Sequence, residues 1–367
     1  MIYLDSAATS FPKLPQVRRA VDRAMASCAN PGRGGHQASM TAARVVFRCR
    51  QRAAGLFGCR PEQVVFTSNC THGLNIAIRD LVKPGDRVVV TGFEHNAVIR
   101  PLYALKAQMT VAGRKLFDWE DTLSRFEDGL KQGADAAVFT HVSNVFGYVL
   151  PVKEMAGLCR QYGVPFAVDA AQSAGTEPVD LAGWGAAYVA MPGHKGLLGP
   201  MGTGVLLCGR VPEPLLFGGT GSESMERGMP EYLPERLEPG TVNVPGIAGL
   251  EAGLGYLETE GIHKIRKRET LLADRCVAGL RKLGFRVFDG PHRSGTFSFL
   301  SKGDGEAMAE NLAKAGVAVR AGLHCAPLAH ESAGTLETGT VRVSFGYGNQ
   351  GSDGDRFLKI MEEYSEL

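Results

Sequence analysis

The 367-residue chain has almost no net charge: 40 lysines and arginines stand against 38 acidic residues, a balance of +2 with histidine neutral. It has no basic run and no interleaving of aromatic with basic residues, so neither nucleic acid nor an anionic membrane is expected as a partner. No apolar run is long enough to span a bilayer. The opening MIYLDSAATS lacks the charged region and apolar stretch of a secretory signal, and the expected location is cytoplasmic. Cysteine is present but unpatterned. Cys28, Cys49, Cys59, Cys70, Cys159, Cys208, Cys276 and Cys325 include no CxxC pair, which argues against a disulfide framework and against zinc; no metal site is expected. Most of these thiols are expected to be inert, with one left as a nucleophile. Internal repeats and low-complexity tracts are absent.

What is there is ordinary globular material, 44% hydrophobic and 21% charged, in a chain long for a single core. From about residue 60 to 210, strand-like segments (EQVVFTS, DRVVVTG, MTVAGRK, DAAVFTHV, VPFAVDA, AAYVAMP) alternate with helical ones (HGLNIAIRDLV, NAVIRPLYALKAQ, WEDTLSRFEDGLKQG, KEMAGLCRQYG). That alternation predicts an α/β fold, a mostly parallel sheet with helices on both faces. Two amphipathic helices precede it, PQVRRAVDRAMASC and SMTAARVVFRCRQRAAGLFG. Residues 211–243 are rich in Gly, Pro and Glu and read as irregular. Beyond them come two long helical stretches, short strands (FRVFDG, GTFSFLS, VAVRAG), the helix GEAMAENLAKAG and a final helix SDGDRFLKIMEEYSEL. The expected organisation is a large domain over 1–248 and a smaller α+β domain over 249–367, with about the first 15 residues packing on the small domain.

In an open parallel sheet, ligands bind beyond the carboxyl ends of the strands. Asn69-Cys70-Thr71-His72-Gly73 follows VVFTS and opens a helix, whose free amides suit a phosphate. Glu94-His95 follows VVVTG, Asn144 follows AVFTHVS, Asp169 and Gln172 close VPFAVDAAQ, and Gly193-His194-Lys195 follows AAYVAMP. Each has an ordinary use: Asp169 or Thr71 as a helix cap, His95 as a packed histidine, Asn144 as a turn residue, Lys195 as a solvated lysine in MPGHKGLLGP. Taken together they match one ligand, bearing a phosphate, an aromatic ring, a ring nitrogen that needs an anion and an aldehyde that needs an amine. That ligand is pyridoxal 5'-phosphate. The glycines about Lys195 are expected to let backbone approach the cofactor, and burial is expected to depress the lysine's pKa enough for it to act as a base.

The ordered set THGLN, EHNAVI, HVSNVFG, VDAAQSAG, GHKGLLGPMGTG and GTVNVPG, running from YLDSAAT to VRVSFGYGN, resembles the class V aminotransferase superfamily of fold type I pyridoxal enzymes. Within it the chain looks like the cysteine desulfurases and selenocysteine lyases. The resemblance implies that Lys195 binds the cofactor aldehyde and moves the substrate's α-proton, Asp169 pairs with the ring nitrogen, Gln172 reaches the phenolic oxygen and His95 stacks on the ring. It places Asn144 beside the ring oxygen and the substrate carboxylate. Thr71, the amides of Cys70 to His72, and His194 would cradle the phosphate. Thr241 would reach the neighbouring subunit's phosphate, implying a homodimer with shared active sites. Arg342, with Arg320 nearby, would hold the amino-acid substrate's carboxylate. VRAGLHCAP is similar to the Arg-x-Gly-His-His-Cys-Ala-x-Pro segment of the second, Suf-type group of desulfurases. It makes Cys325 the nucleophile that takes sulfur as a persulfide and passes it to a sulfur-acceptor protein, its thiolate favoured by Arg320 and His324.

Three positions depart from the family pattern: Pro192 replaces a serine, Leu323 a histidine, and His72 a common glutamate. The main expectation is conversion of L-cysteine to L-alanine. The alternatives are selenocysteine lyase chemistry on the same site, another class V lyase or aminotransferase reaction, and a non-catalytic scaffold.

Overall fold

The computed structural model describes every residue except Arg33 and residues 365–367. The chain opens with a short strand, Ile2–Tyr3 (β1), and the helices Pro15–Ser27 and Gln37–Leu56. Val17, Ala20 and Ala24 make the buried stripe of the first helix, at the spacing of one helical face. Then come Val64–Thr67 (β2), Arg87–Thr91 (β3), Gln108–Ala112 (β4), Ala136–Thr140 (β5), Phe166–Asp169 (β6), Tyr188–Pro192 (β7) and Gly204–Cys208 (β8). These form one seven-stranded sheet in the order β2-β8-β7-β6-β5-β3-β4. The β4-β3-β5-β6-β7 run is parallel throughout, while β8 lies antiparallel to both neighbours.

Consecutive strand residues serve opposite faces. Val88 and Val90 enter one apolar cluster with Leu74 and Ile78 of the helix Cys70–Leu81; Val89 enters the other with Phe126 of the helix Trp119–Lys131. Burial on both faces is why these strands are continuous apolar runs rather than alternating ones. The sheet and its two helical layers bear out the α/β expectation. The strand β8, buried along its length, was not among the expected strands, although GVLLC is as apolar as its neighbours.

The second sheet is antiparallel, in the order β12-β13-β10-β9, from Val287–Phe288 (β9), Thr296–Phe299 (β10), Val317–Ala318 (β11), Arg320–Gly322 (β12) and Thr340–Ser344 (β13), with β11 outside it. VAVRAG, expected as one strand, is divided. Val317 and Ala318 pair in parallel with Ile2 and Tyr3, and from Arg320 onward the chain pairs with β13 instead. Ile2 and Leu4 accordingly sit in the apolar cluster of the C-terminal elements. The helix Val244–Glu260 runs through residues 248 and 249, where the sequence suggested a boundary. Its Ile247, Leu250, Leu254 and Leu257 are buried in the same cluster as Val17, Ala20 and Ala53 of the first two helices. The last helix is Gly351–Glu362; residues 365–367 of the expected helix lie outside the described residues. Among the described residues no helix is long and apolar enough to cross a membrane, and no cluster of His, Cys, Asp and Glu could hold a metal ion.

Candidate active site

Because β2, β3, β5, β6 and β7 run the same way, their carboxyl ends open onto one edge. Asn69, Cys70, Thr71, His95, Asn144, Asp169, Gln172, His194 and Lys195 there line a single cleft of about 520 Å³, together with Pro192. Nine of the expected site residues or their neighbours are thus brought together by strand direction alone.

Lys195 sits in the turn after β7. The turn is closed by Leu198 N–H donating to the Lys195 carbonyl at 2.9 Å and Gly199 N–H to the Gly193 carbonyl at 2.7 Å. Its glycines have a use within the protein itself. A Cβ on Gly196 would lie 2.2 Å from the Ala174 carbonyl oxygen, and one on Gly193 2.1 Å from Thr203 Oγ1. At these two positions the lysine turn packs directly on the segment after Asp169 and on the start of β8, which leaves no room for a side chain. The far side of the turn is pinned by the N-terminal segment: Ser10 N–H, Ser10 Oγ, Thr9 Oγ1 and Lys13 Nζ all donate to the His194 carbonyl, at 2.8–3.0 Å. Among the described residues no hydrogen bond or ion pair ties down the Lys195 amine. Burial lowers its pKa, opposed by the charge of Asp169, which brings the amine closer to its neutral, nucleophilic form than an exposed lysine.

Asp169 ends β6 and is 2% exposed. Its Oδ1 accepts from Ala171 N–H at 2.9 Å and from the Cys70 thiol at 3.5 Å, and no cation among the described residues pairs with it. The Cys70 side chain is therefore a ligand of Asp169. Its pKa is raised far above the ordinary thiol value by burial and by that carboxylate, which keeps it a proton donor. The neighbouring helix start is partly used up. Asn69 Oδ1 accepts from His72 N–H at 2.9 Å, so the His72 amide expected at the phosphate is already satisfied. The His72 ring lies outside the cleft, with Nδ1 3.4 Å from Ser68 Oγ. The amides of Cys70 and Thr71 and the Thr71 hydroxyl remain for an anion.

His95 caps the helix Asn96–Ala104, its Nδ1 accepting from Ala97 N–H at 2.9 Å. That bond assigns the ring proton to Nε2 and fixes the plane of the ring. Burial lowers the His95 pKa, so the ring is neutral. Just before it, Glu94 is wholly buried. Its Oε1 accepts from Thr91 Oγ1 at 2.6 Å, Thr91 N–H at 3.2 Å and Thr140 N–H at 3.1 Å, tying the ends of β3 and β5 together, while Oε2 has no partner. Burial pushes its pKa up to about 8. The folded chain therefore keeps a proton that the unfolded chain releases above the ordinary carboxylate range. Stability is complete below that range and falls as pH rises toward 8, by on the order of 2 kcal/mol between pH 6 and pH 8 for this group. Glu94→Gln keeps the three accepted bonds and places its amide where the orphan oxygen was. The variant is expected to fold and to show a flatter Tm between pH 6 and pH 8 than the wild type, measured by thermal melts.

Cys325 stands at the mouth. It is exposed, and it lines a groove with Asn75, Arg79 and Arg100 that shares Thr71, His95 and Ala97 with the cleft. Two bonds hold it there: Asn96 N–H donates to the Cys325 carbonyl at 2.8 Å and Asn144 Nδ2 to the His324 carbonyl at 2.7 Å. His324 and Cys325 have φ of 49° and 56°, a left-handed pair that non-glycine residues adopt only when their surroundings impose it. His324 does not favour the thiolate as expected. Its buried ring contacts the Thr340 carbonyl through Nε2 at 3.1 Å, and burial together with Arg342 brings its pKa down to about 3, so it carries no charge at neutral pH.

Arg342 and Arg320 do not line the cleft directly. Arg342 is 3% exposed and donates from Nη1 to the Asn144 carbonyl at 3.0 Å and from Nη2 to Asp5 Oδ1 at 2.9 Å. Arg320 pairs with the same aspartate. The sequence marks Asp5 only as an acidic residue within YLDSAAT; its pairing with both arginines comes from the fold. Thr241 lies in a separate pocket with Asn30, Arg50, Thr220 and Glu238, apart from Lys195 within the chain.

The cleft fits pyridoxal phosphate on the chemistry of its side chains. Among the described residues, it holds an amine without a partner, a buried carboxylate without a cation, a neutral imidazole of fixed plane, a hydroxyl and two unpaired helix amides, and the buried Asn144 Oδ1 that no described group satisfies.

The family model described as Aminotransferase class-V matches residues 2–357. The chain is 33% identical over 380 residues to a probable cysteine desulfurase of Methanothermobacter thermautotrophicus, covering 100% of this chain and 95% of that one. It is 34% identical over 386 residues to one of Pyrococcus abyssi, covering 99% and 94%. The apo structure of a cysteine desulfurase from Thermococcus onnurineus NA1 superposes with a TM-score of 0.92 at 32% identity, over 100% of this chain and 95% of that one. The Escherichia coli cysteine desulfurase CsdA gives 0.85 at 26%, with the same coverage.

Proposed function

The chain belongs to the class-V aminotransferase family, and on that premise we propose that it is a pyridoxal-phosphate-dependent cysteine desulfurase, converting L-cysteine to L-alanine with the sulfur left as a persulfide on Cys325. The observation that carries the reading is the convergence of an unpaired lysine amine and a buried carboxylate in one cleft, with an exposed cysteine held at its mouth.

Pyridoxal phosphate, when bound, supplies the electron sink that labilises the substrate's α-proton. Lys195 would hold the cofactor aldehyde, and its depressed pKa would let the amine carry the α-proton as a base. Asp169, kept in place by Ala171 N–H and the Cys70 thiol, would pair with the ring nitrogen and hold its proton. His95 offers its fixed face to the ring. Thr71, the amides of Cys70 and Thr71, and His194 receive the phosphate without the hydroxyl that Pro192 lacks. Gln172, which donates to the Ala7 carbonyl at 3.0 Å, and Asn144 stand for the ring oxygen. Arg342, oriented by Asn144 and Asp5, takes the α-carboxylate. The Cys325 thiolate attacks the substrate sulfur. An S–S bond forms, the Cβ–S bond breaks with its electron pair going to carbon, and a proton on that carbon completes alanine.

The reading includes a homodimer in which Thr241 of one protomer serves the other's phosphate; its position in a pocket away from Lys195 supports this. It includes the Suf-type group, supported by the short helix Pro327–Ala333 that follows Cys325 and leaves it no long loop. Exposure of Cys325 supports onward transfer to a sulfur-acceptor protein. The eight cysteines, all unpaired in the structure, support the cytoplasm as the location. The division into a large and a small domain is also part of this reading, supported by separate apolar clusters.

The test is turnover by purified, cofactor-loaded protein, with alanine and sulfide counted separately. L-cysteine should give the two in equal amounts under a reducing thiol. Alanine formed from selenocysteine but not from cysteine would replace the reading with a selenocysteine lyase.

A further inference from the structure

Arg320 and Arg342 are register partners on the antiparallel pair β12-β13, so their side chains leave the same face of the sheet. Like charges directly opposite one another are destabilising. Asp5 lies between them. Its Oδ1 is 2.9 Å from Arg342 Nη2, and its Oδ2 is 2.9 Å from Arg320 Nη2 and 3.1 Å from Arg320 Nε. The aspartate is held in register by its bridge to Ser344 at the end of β13. Asp5 and Arg342 are 7% and 3% exposed, whereas the Arg320 side chain is 53% exposed and near Cys325. His324 beside them is neutral, and Tyr3 keeps its proton because burial and Asp5 raise its pKa. Two guanidiniums and one carboxylate leave this cluster one positive charge in surplus, and among the described residues buried Arg342 Nε has no partner. One more carboxylate balances it; two do not.

We infer that Asp5 is a specificity-determining and positioning residue: by cancelling one of the two paired arginines, it tunes the site to amino acids with a single carboxylate and discriminates against those with a second anionic group at Cβ. This rests on the reading of Arg342 as the partner of the substrate's α-carboxylate. A second anion at Cβ would project toward Cys325 and Arg320, where Asp5 already supplies the negative charge.

The experiment uses cofactor-loaded wild type, Asp5→Asn, Asp5→Glu and Arg320→Gln. Each is titrated with L-alanine and with L-aspartate, read by the visible absorbance of the cofactor, and each competitor is also tested against L-cysteine turnover. The quantity is the ratio of aspartate to alanine dissociation constants, which cancels any general loss of binding. It is expected to fall about tenfold in Asp5→Asn, to stay within about twofold in Asp5→Glu, and to rise in Arg320→Gln, as a charge change beside a buried guanidinium should produce. A ratio that does not fall in folded Asp5→Asn overturns the inference, as does failure of Asp5→Glu to restore it. Should Asp5→Asn not fold, Arg320→Gln decides alone, and a ratio that does not rise there overturns it. A wild type that binds both amino acids but does not desulfurate cysteine removes the functional reading, while the ratio still decides the role of Asp5.

Discussion

Lys195→Ala is expected to lose L-cysteine turnover by more than about 10³-fold, since it removes both the cofactor's covalent anchor and the base. After borohydride reduction the variant should carry no pyridoxyl mass on the chain, whereas the wild type carries one per protomer. The expectation rests on the absence of a substitute. Among the described residues, Lys195 is the one lysine that lines the cleft. Lys13 spends its amine on Ser10 Oγ at 2.7 Å and on the His194 carbonyl at 2.8 Å, on the other side of the lysine turn. Lys195→Arg should be as inactive, because a guanidinium remains protonated and cannot condense with an aldehyde. The protein should still fold: the turn is held by Gly199, Leu198 and the N-terminal hydroxyls rather than by the lysine side chain. A borohydride-stable adduct in Lys195→Ala would remove the assignment altogether.

Cys325→Ala is expected to abolish sulfide and alanine formation from L-cysteine by about 10²–10³-fold while leaving the cofactor absorbance and L-alanine binding as in the wild type. The side chain is exposed and makes no hydrogen bond among the described residues; the Cys325 carbonyl carries the contact to Asn96 and the His324 carbonyl the one to Asn144. Alanine keeps the same left-handed backbone with the same strain, so Tm should move little. Cys325→Ser should not rescue, because a hydroxyl does not accept sulfur as a persulfide. Separate measurement of cofactor binding, melting and turnover distinguishes a lost nucleophile from a disturbed site. Undiminished turnover in Cys325→Ala would point instead to a class V reaction that needs no cysteine.

The parallel sheet and most of the site were legible in the sequence for the same physical reason. Buried parallel strands must be short apolar runs between amphipathic helices, and in such a sheet every strand's carboxyl end faces one way. Asp169, Lys195, His95, Asn144 and Thr71 therefore had to meet once VPFAVDA, AAYVAMP and their neighbours were recognised as strands. Periodicity and strand direction are local properties, and a sequence states them directly. Partners are not local. Nothing near Asp169 in the chain points to Cys70, 99 residues away, and nothing in YLDSAAT indicates that Asp5 lies between arginines 315 and 337 residues later. Those pairs exist because the register of β12 on β13 and the bridge from Asp5 to Ser344 bring them together. The same holds for charge. His324 was expected to assist a thiolate, but burial makes it neutral, and burial is known only once the chain has closed around it. The glycines about Lys195 were visible as glycines from the start. That Gly196 and Gly193 also make room for the Ala174 carbonyl and for Thr203 was decided by how closely these segments pack in the folded chain.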